Sequence, residues 1–223
     1  MEDKVRRTLS SSSRIELEVK KSLFIGFACP VESPEQAQDF VRDIRARFKD
    51  AKHHVYAWRT SLSGSAQKHS DDGEPQGTAG MPVMDVLVRG RIDDAAIVVV
   101  RYFGGILLGT GGLARAYSEA AENAVRAANP IELVPALCFN VVVDYAQSDK
   151  LKYTFEKAGY VVETKYEDKP IHRVMCERRD EEVFRQLCLD MTAGGAIITF
   201  EGSAEMNITS TVQGKDIDDE RAR

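Results

Sequence analysis

Two glycine-rich blocks carry the side chains best suited to chemistry. The first, SDDGEPQGTAGMPV, occupies residues 70–83 and sets Ser70, Asp71, Asp72 and Glu74 around Gly73, with His69 just before them. Carboxylates beside a histidine can hold a divalent cation or move protons. The same residues can close a tight turn, because Asp-Gly and Glu-Pro are turn dipeptides and short carboxylates accept from nearby backbone N–H groups. The D-x-D-x-D-G spacing of a calcium loop is absent. The structured turn is therefore the expected reading, and no metal set and no cofactor is assigned. The second block, IVVVRYFGGILLGTGGLARAY, occupies residues 97–117. An apolar run ends there in Arg101 and Phe103. Gly104, Gly105, Gly109, Gly111 and Gly112 follow, then Arg115. A strand that runs through glycines into a helix presents orphan backbone N–H groups, which suit an anion. Arg101 and Arg115 would add charge-assisted contacts to a phosphate. The glycines equally allow tight helix–sheet packing with Phe103 plugging the core, and the residues leave both readings open. This is not a P-loop, since its spacing and lysine are missing. No serine, threonine or cysteine stands in a recognisable nucleophile elbow, so no catalytic residue is assigned.

The elements that must position these blocks follow from periodicity. IELEV alternates apolar and acidic residues as a half-buried strand does, and SLFIGFACPV continues as a second strand. Ser33 caps a helix opened by Pro34, with Ala37, Phe40, Val41, Ile44 and Phe48 at helical spacing. HHVYAWRTSL reads as a strand whose successive side chains alternate, which puts His54 on the face of Tyr56 and Trp58. MDVLVRG and AAIVVVRYF read as two further strands. The latter is apolar at every position from Ala95 to Val100, which suits a central strand covered on both faces. LARAYSEAAENAVRAAN is a strong helix stopped by Asn129 and Pro130. After a proline-bearing linker, PIELVPA, the pattern restarts as strand, helix capped by Ser148, two strands, helix, strand. That β-α-β-β-α-β order is ferredoxin-like. The expected organisation is one domain over residues 14–135, a second over 136–205, and mobile polar tails at 1–13 and 206–223.

Bulk composition narrows the function classes. The 223 residues carry 30 Lys and Arg against 35 Asp and Glu, net −5, which argues against a broadly basic nucleic-acid binder. The first 136 residues balance 18 of each sign, so the acidic excess lies in the second half. Any RNA contact must come from a local basic face. Arg42, Arg45, Arg47 and Lys49 on the first helix read chiefly as a solvated face. Four scattered cysteines without a C-x-x-C pair suit a reducing cytoplasm. No apolar run is long enough to span a membrane, and the first residues lack a secretory core.

SDDGEP-x-GTAG-x-P over Ser70 to Pro82 and VVVRYFGG-x-x-LG-x-GGL-x-RAY over Val98 to Tyr117 resemble the signatures of the IMPACT family in its bacterial branch. EVKKSLFIGFACPV and AKHHVYAW look like its upstream features. The chain departs from that pattern at His54 and Val55, where Asn-Cys is common, and at Leu107, where many relatives carry Lys. The resemblance implies an α+β protein. Its N-terminal domain would be similar to the second domain of a small-subunit ribosomal protein and to domain IV of elongation factor G. Its C-terminal domain would be ferredoxin-like, as in elongation factor G. The resemblance also implies a link to translation, which eukaryotic relatives regulate through an added domain not expected in this chain.

The leading expectation is a non-enzymatic, cytoplasmic translation regulator that binds the ribosome, structured RNA or a translation-related protein through Ser70, Asp71, Asp72, Glu74 and the 101–115 surface. The second domain lacks the aromatic pattern of an RNA-reading sheet. Two alternatives remain. One is a protein-interaction module built on the acidic loop. The other is an enzyme acting on a small phosphorylated ligand.

Overall fold

The computed structural model describes residues 5–209, and their contacts divide into two compact units, residues 6–131 and the residues from 132 onward together with Val5. The first unit contains β1 (Arg6–Leu9), β2 (Ser13–Val19), β3 (Ser22–Pro30), α1 (Pro34–Arg47), β4 (His53–Thr60), β5 (Ala66–Ser70), α2 (Gly80–Arg89), β6 (Ala95–Tyr102) and α3 (Gly109–Ala127). Its main sheet has the order β2-β3-β6-β4-β5 and is antiparallel throughout. β6 lies at the centre. Ala95, Ile97 and Val99 face the core built with α2 and α3, while Val98 and Val100 face the core built with α1. The uninterrupted apolar run thus marks a doubly covered strand, as its composition implies. Ser33 caps α1, its side chain accepting from Gln36 N at 3.3 Å.

Three segments differ from the sequence expectation. MDVLVRG belongs to a helix, α2, rather than a strand. Val83, Met84, Val86 and Leu87 bury one helical face, and the short window over Met84 to Gly90 hides that spacing. The polar stretch at Ala66–Ser70 forms β5, an edge strand on which Gln67, Lys68 and His69 are all exposed. Residues 6–13, expected as part of a mobile tail, are built into the fold. Leu9 is buried, and the serines bond the last turn of α3: Ser10 N donates to Asn129 O at 3.0 Å and Ser13 Oγ to Ala124 O at 2.6 Å. The helix-end carbonyls need such donors, which is why a serine run is ordered there. Residues 1–4 lie outside the described residues.

The second unit contains β7 (Pro130–Val142), α4 (Tyr145–Lys157), β8 (Val161–Tyr166), β9 (Pro170–Glu177), a single 3₁₀ turn (Arg178–Asp180), α5 (Glu181–Thr192) and β10 (Ile197–Asn207). Its strands lie in the order β10-β7-β9-β8, all antiparallel. This is the ferredoxin-like arrangement. PIELVPA is not a linker but the first half of β7. Pro135 lies opposite Glu205, and the chain passes between units inside this strand. Residues 206–209, expected as the start of a mobile tail, belong to the fold: Met206 is buried opposite Val134 and Ile208 N donates to Glu132 O at 2.9 Å. Residues 210–223 lie outside the described residues.

Ser148 does not cap α4, which starts at Tyr145. It is buried and its hydroxyl meets His172 Nε2 at 3.1 Å, while Thr164 Oγ1 meets His172 Nδ1 at 2.9 Å. His172 is fully buried against Phe155, in a core stacked from Phe139, Phe155 and Phe184. Burial, helped by the Lys152 charge, holds its pKa below the ordinary value against the pull of Asp149. Above about pH 6.5 both folded and unfolded forms are neutral there. Below it the unfolded chain binds a proton that the folded one refuses, so stability falls until the folded pKa is reached. His172 is the one histidine in residues 132–209. Urea unfolding followed at amides of this unit should show a midpoint that drops between pH 7 and pH 5. His172→Gln should flatten that dependence, and an unchanged slope in the variant would assign it to other groups.

Candidate functional site

The first glycine block forms the loop between β5 and α2, and its carboxylates point inward. Asp71 Oδ1 accepts from Ala79 N at 3.0 Å and Gly80 N at 2.8 Å, and Oδ2 accepts from Gly77 N at 2.9 Å. Burial would push this carboxyl up, but the three N–H bonds prevail and hold its pKa below the ordinary range. Asp71 thereby caps α2, whose own N-cap, Ala79, offers no side-chain acceptor. Asp72 adopts a left-handed backbone, φ +44°. Its carboxylate accepts from His54 N at 2.7 Å and pairs with Arg45, and its own N–H donates to Ser70 Oγ at 3.2 Å. Both histidines lean on this region. His53 Nδ1 lies 2.9 Å from Asp72 O and His54 Nε2 lies 2.9 Å from Phe48 O. A carbonyl only accepts, so both ring nitrogens donate.

Glu74 reaches deepest. Its Oε1 accepts from Arg101 Nη1 at 2.7 Å and from Tyr117 Oη at 2.8 Å, with the Arg101 and Glu74 side chains only 7% and 4% exposed. Burial first, then the Glu74 charge, pushes the Tyr117 hydroxyl far above its ordinary pKa. The Arg101 guanidinium packs on Phe24 at 5.4 Å and beneath Phe103 at 5.6 Å. Arg101, expected to meet a phosphate, therefore joins β6 to the DDGEP loop inside the protein. Among the described residues no three His, Cys, Asp or Glu side chains are grouped to hold a metal ion.

The second block is the surface. Phe103 does not plug the core but is 56% exposed, and Ile106 and Leu107 are exposed at 42% and 83%. Gly104 is clamped to the turn between β2 and β3. A Cβ there would lie 2.0 Å from the Lys21 carbonyl, and Gly104 N donates to Ser22 Oγ at 3.2 Å. Gly109, at φ +69°, starts α3. Gly105 is exposed, and Gly111 and Gly112 lie in the first turn of α3, whose N-cap Leu108 supplies no side-chain acceptor. Arg115 stands exposed on α3.

Strand register gathers more cations here than the sequence pattern suggests. Leu23 lies opposite Tyr102 and His53 opposite Arg101. The turn bearing Lys20 and Lys21, the loop bearing Lys49 and Lys52, and the 103–108 loop thus share one end of the sheet. These four lysines and Arg115 are all exposed, and none pairs with a carboxylate among the described residues. Sequence reasoning missed Lys20, Lys21, Lys52 and Tyr117. The lysine pair between two strands was the available signal, since a hairpin tip is where strand ends converge.

Residues 20–125 match the Impact N-terminal domain. Over 188 residues the chain is 30% identical to the IMPACT family member YvyE of Bacillus subtilis (strain 168), spanning 84% of this chain and 87% of that protein. It is 40% identical over 132 residues to the IMPACT family member YigZ of Escherichia coli (strain K12), spanning 58% and 65%. Among solved structures, one described as the crystal structure of a hypothetical protein is 29% identical, with a TM-score of 0.56 over 89% of this chain and 98% of that one.

The Glu74 junction has a direct test. Arg101→Ala leaves a buried carboxylate without its cation and should destabilise the N-terminal unit by about 3–5 kcal/mol. Tyr117→Phe, which removes one hydrogen bond to a charged acceptor, should lose roughly 1.5–3 kcal/mol. Urea unfolding measures both. A loss under about 1 kcal/mol for Arg101→Ala would show that the pair does not hold the loop.

Proposed function

The chain belongs to the IMPACT family, and from that premise we propose a non-enzymatic, translation-associated factor whose N-terminal unit docks on structured ribosomal RNA. The docking surface is the cationic end of the sheet. One observation carries the reading: Lys20, Lys21, Lys49 and Lys52, which pair with no carboxylate among the described residues, share the sheet end from which the exposed apolar loop at Phe103, Ile106 and Leu107 leaves, and Arg115 follows on α3. Cations neutralise phosphates, and backbone N–H groups at the start of α3 add donors for the same groups. Phe103 offers an aromatic face on which an unstacked base can rest. The family resemblance to ribosomal and elongation-factor domains supports the same partner. Action on ribosomes places the protein in the cytoplasm, and no helix among the described residues is long and apolar enough to cross a membrane.

The alternatives gain less support. An acidic interaction loop needs outward carboxylates, whereas Asp71, Asp72 and Glu74 are engaged internally. For an enzyme, the described residues group no nucleophile with a base at the glycine surface, whose lysines, arginine and apolar side chains suit holding a phosphate.

Co-sedimentation with ribosomes across a salt series tests the proposal. Wild-type binding should weaken steeply with salt. Lys20→Ala, Lys21→Ala and Arg115→Ala together should weaken it and flatten the slope of log affinity against log salt by about 2–3, at roughly 0.7–0.9 per lost phosphate contact. Equal binding by wild type and variant, or none at any salt, would overturn the assignment. These side chains are exposed, so the variant tests binding without unfolding the unit.

A further inference from the structure

A separate concavity opens between the last turns of α2 and α3. Along α3 it lies roughly 20 Å from the glycine loop, at 1.5 Å per residue from Gly109 to Glu122. It holds about 580 Å³, within the range of small-molecule sites. Its floor is apolar and rigid: Val86, Ile92 and Val125 all belong to the buried core. Among the described residues its rim carries Arg7, Arg89 and Arg126 with a single carboxylate, Glu122.

The rim charges do not cancel. Arg89 lies 3.8 Å from Glu122 with both side chains more than half exposed, a contact that water screens. Arg126 donates to the neutral Asn123 Oδ1, and Arg7 Nη1 to Gly90 O at 3.2 Å. Each helix C-terminus adds about half a negative charge, so three guanidinium groups still leave the mouth positive. The helix ends account for one arginine in each last turn. They do not account for Arg7, which arrives from β1 on a backbone pinned by Asp93 N donating to Arg7 O at 2.9 Å. A guanidinium fork grips a carboxylate or phosphate through two parallel bonds. No aromatic side chain among the described residues lines the floor, so it favours an aliphatic body over a stacked base.

We propose that this concavity binds a small organic anion: an aliphatic chain ending in a carboxylate or phosphate head. The chain lies on Val86, Ile92 and Val125, and the head meets the three arginines. This site is independent of the RNA-docking surface.

The test is a methyl-resolved NMR titration of the full chain with decanoate and with decyl phosphate, below their aggregation concentrations, beside decanol and acetate as body-only and head-only probes. The expected result is a saturable shift at the Ile92, Val86 and Val125 methyls with either anion. Affinity should fall at least about tenfold in Arg89→Ala/Arg126→Ala, whose side chains are exposed and dispensable for folding. The tighter of the two anions identifies the head. Absence of a saturable shift, decanol binding as tightly as the anions, acetate giving the same shifts, or undiminished affinity in the double variant would each overturn the proposal.

Discussion

The buried carboxylate of Glu74 ties together three parts of the N-terminal unit that sequence keeps far apart: the DDGEP loop, β6 through Arg101, and α3 through Tyr117. A charge in so dry a place cannot be left unpaired, because desolvation would outweigh much of what packing contributes. The geometry around it is therefore narrowly determined. Once Arg101 turns inward to meet Glu74, Phe103 covers its guanidinium and becomes the first residue of the exposed loop. Asp71 performs a parallel task by capping α2 from outside the helix. The acidic run in the first block is scaffold, and the surface it supports belongs to the second block.

This arrangement also explains how a unit of nearly balanced charge, 17 Lys and Arg against 15 Asp and Glu over residues 6–131, can present a cationic face. Asp71 is satisfied by backbone N–H groups alone, so its charge is turned inward without consuming a lysine or arginine. Asp94 is likewise buried, accepting from Ser61 N and Leu62 N as well as Arg6. Cations stay at the surface while carboxylates retire into turns. Net charge by composition averages over that segregation, which only register and burial reveal.

Much of the fold was legible in the residues, and the misses have identifiable causes. Ala95 to Val100 announced a doubly covered strand, and the second unit's strand and helix order was readable as ferredoxin-like. α2 was misread because its cap, Asp71, stands outside the helix that it starts. β5 was missed because edge strands are polar, and β1 because it is four residues long and runs into serines that look like tail although they bond helix-end carbonyls. At the site, the structured turn was readable from Asp-Gly and Glu-Pro. The burial of Arg101 was implicit too: it continues the alternation of Ala95, Ile97 and Val99 toward the face covered by α2 and α3. Its partner, Glu74, was not, since no local pattern links a loop residue to a strand formed later in the chain. The lysines at the sheet end needed the strand register.

The central position of β6 has a consequence for how the protein is made. β2 and β3 form one hairpin, and β4 and β5 form another, but each is a two-stranded ribbon of marginal stability alone. Neither can join the other directly, because β6 must first enter between β3 and β4. A chain emerging from synthesis therefore carries two unpaired ribbons with open edges until residue 102 is released. Contacts of such long sequence separation form slowly, and open edges invite misassociation in the interval. The sheet is completed in one late step, when its most apolar strand arrives to join the two hairpins, and α3 follows to cover its face.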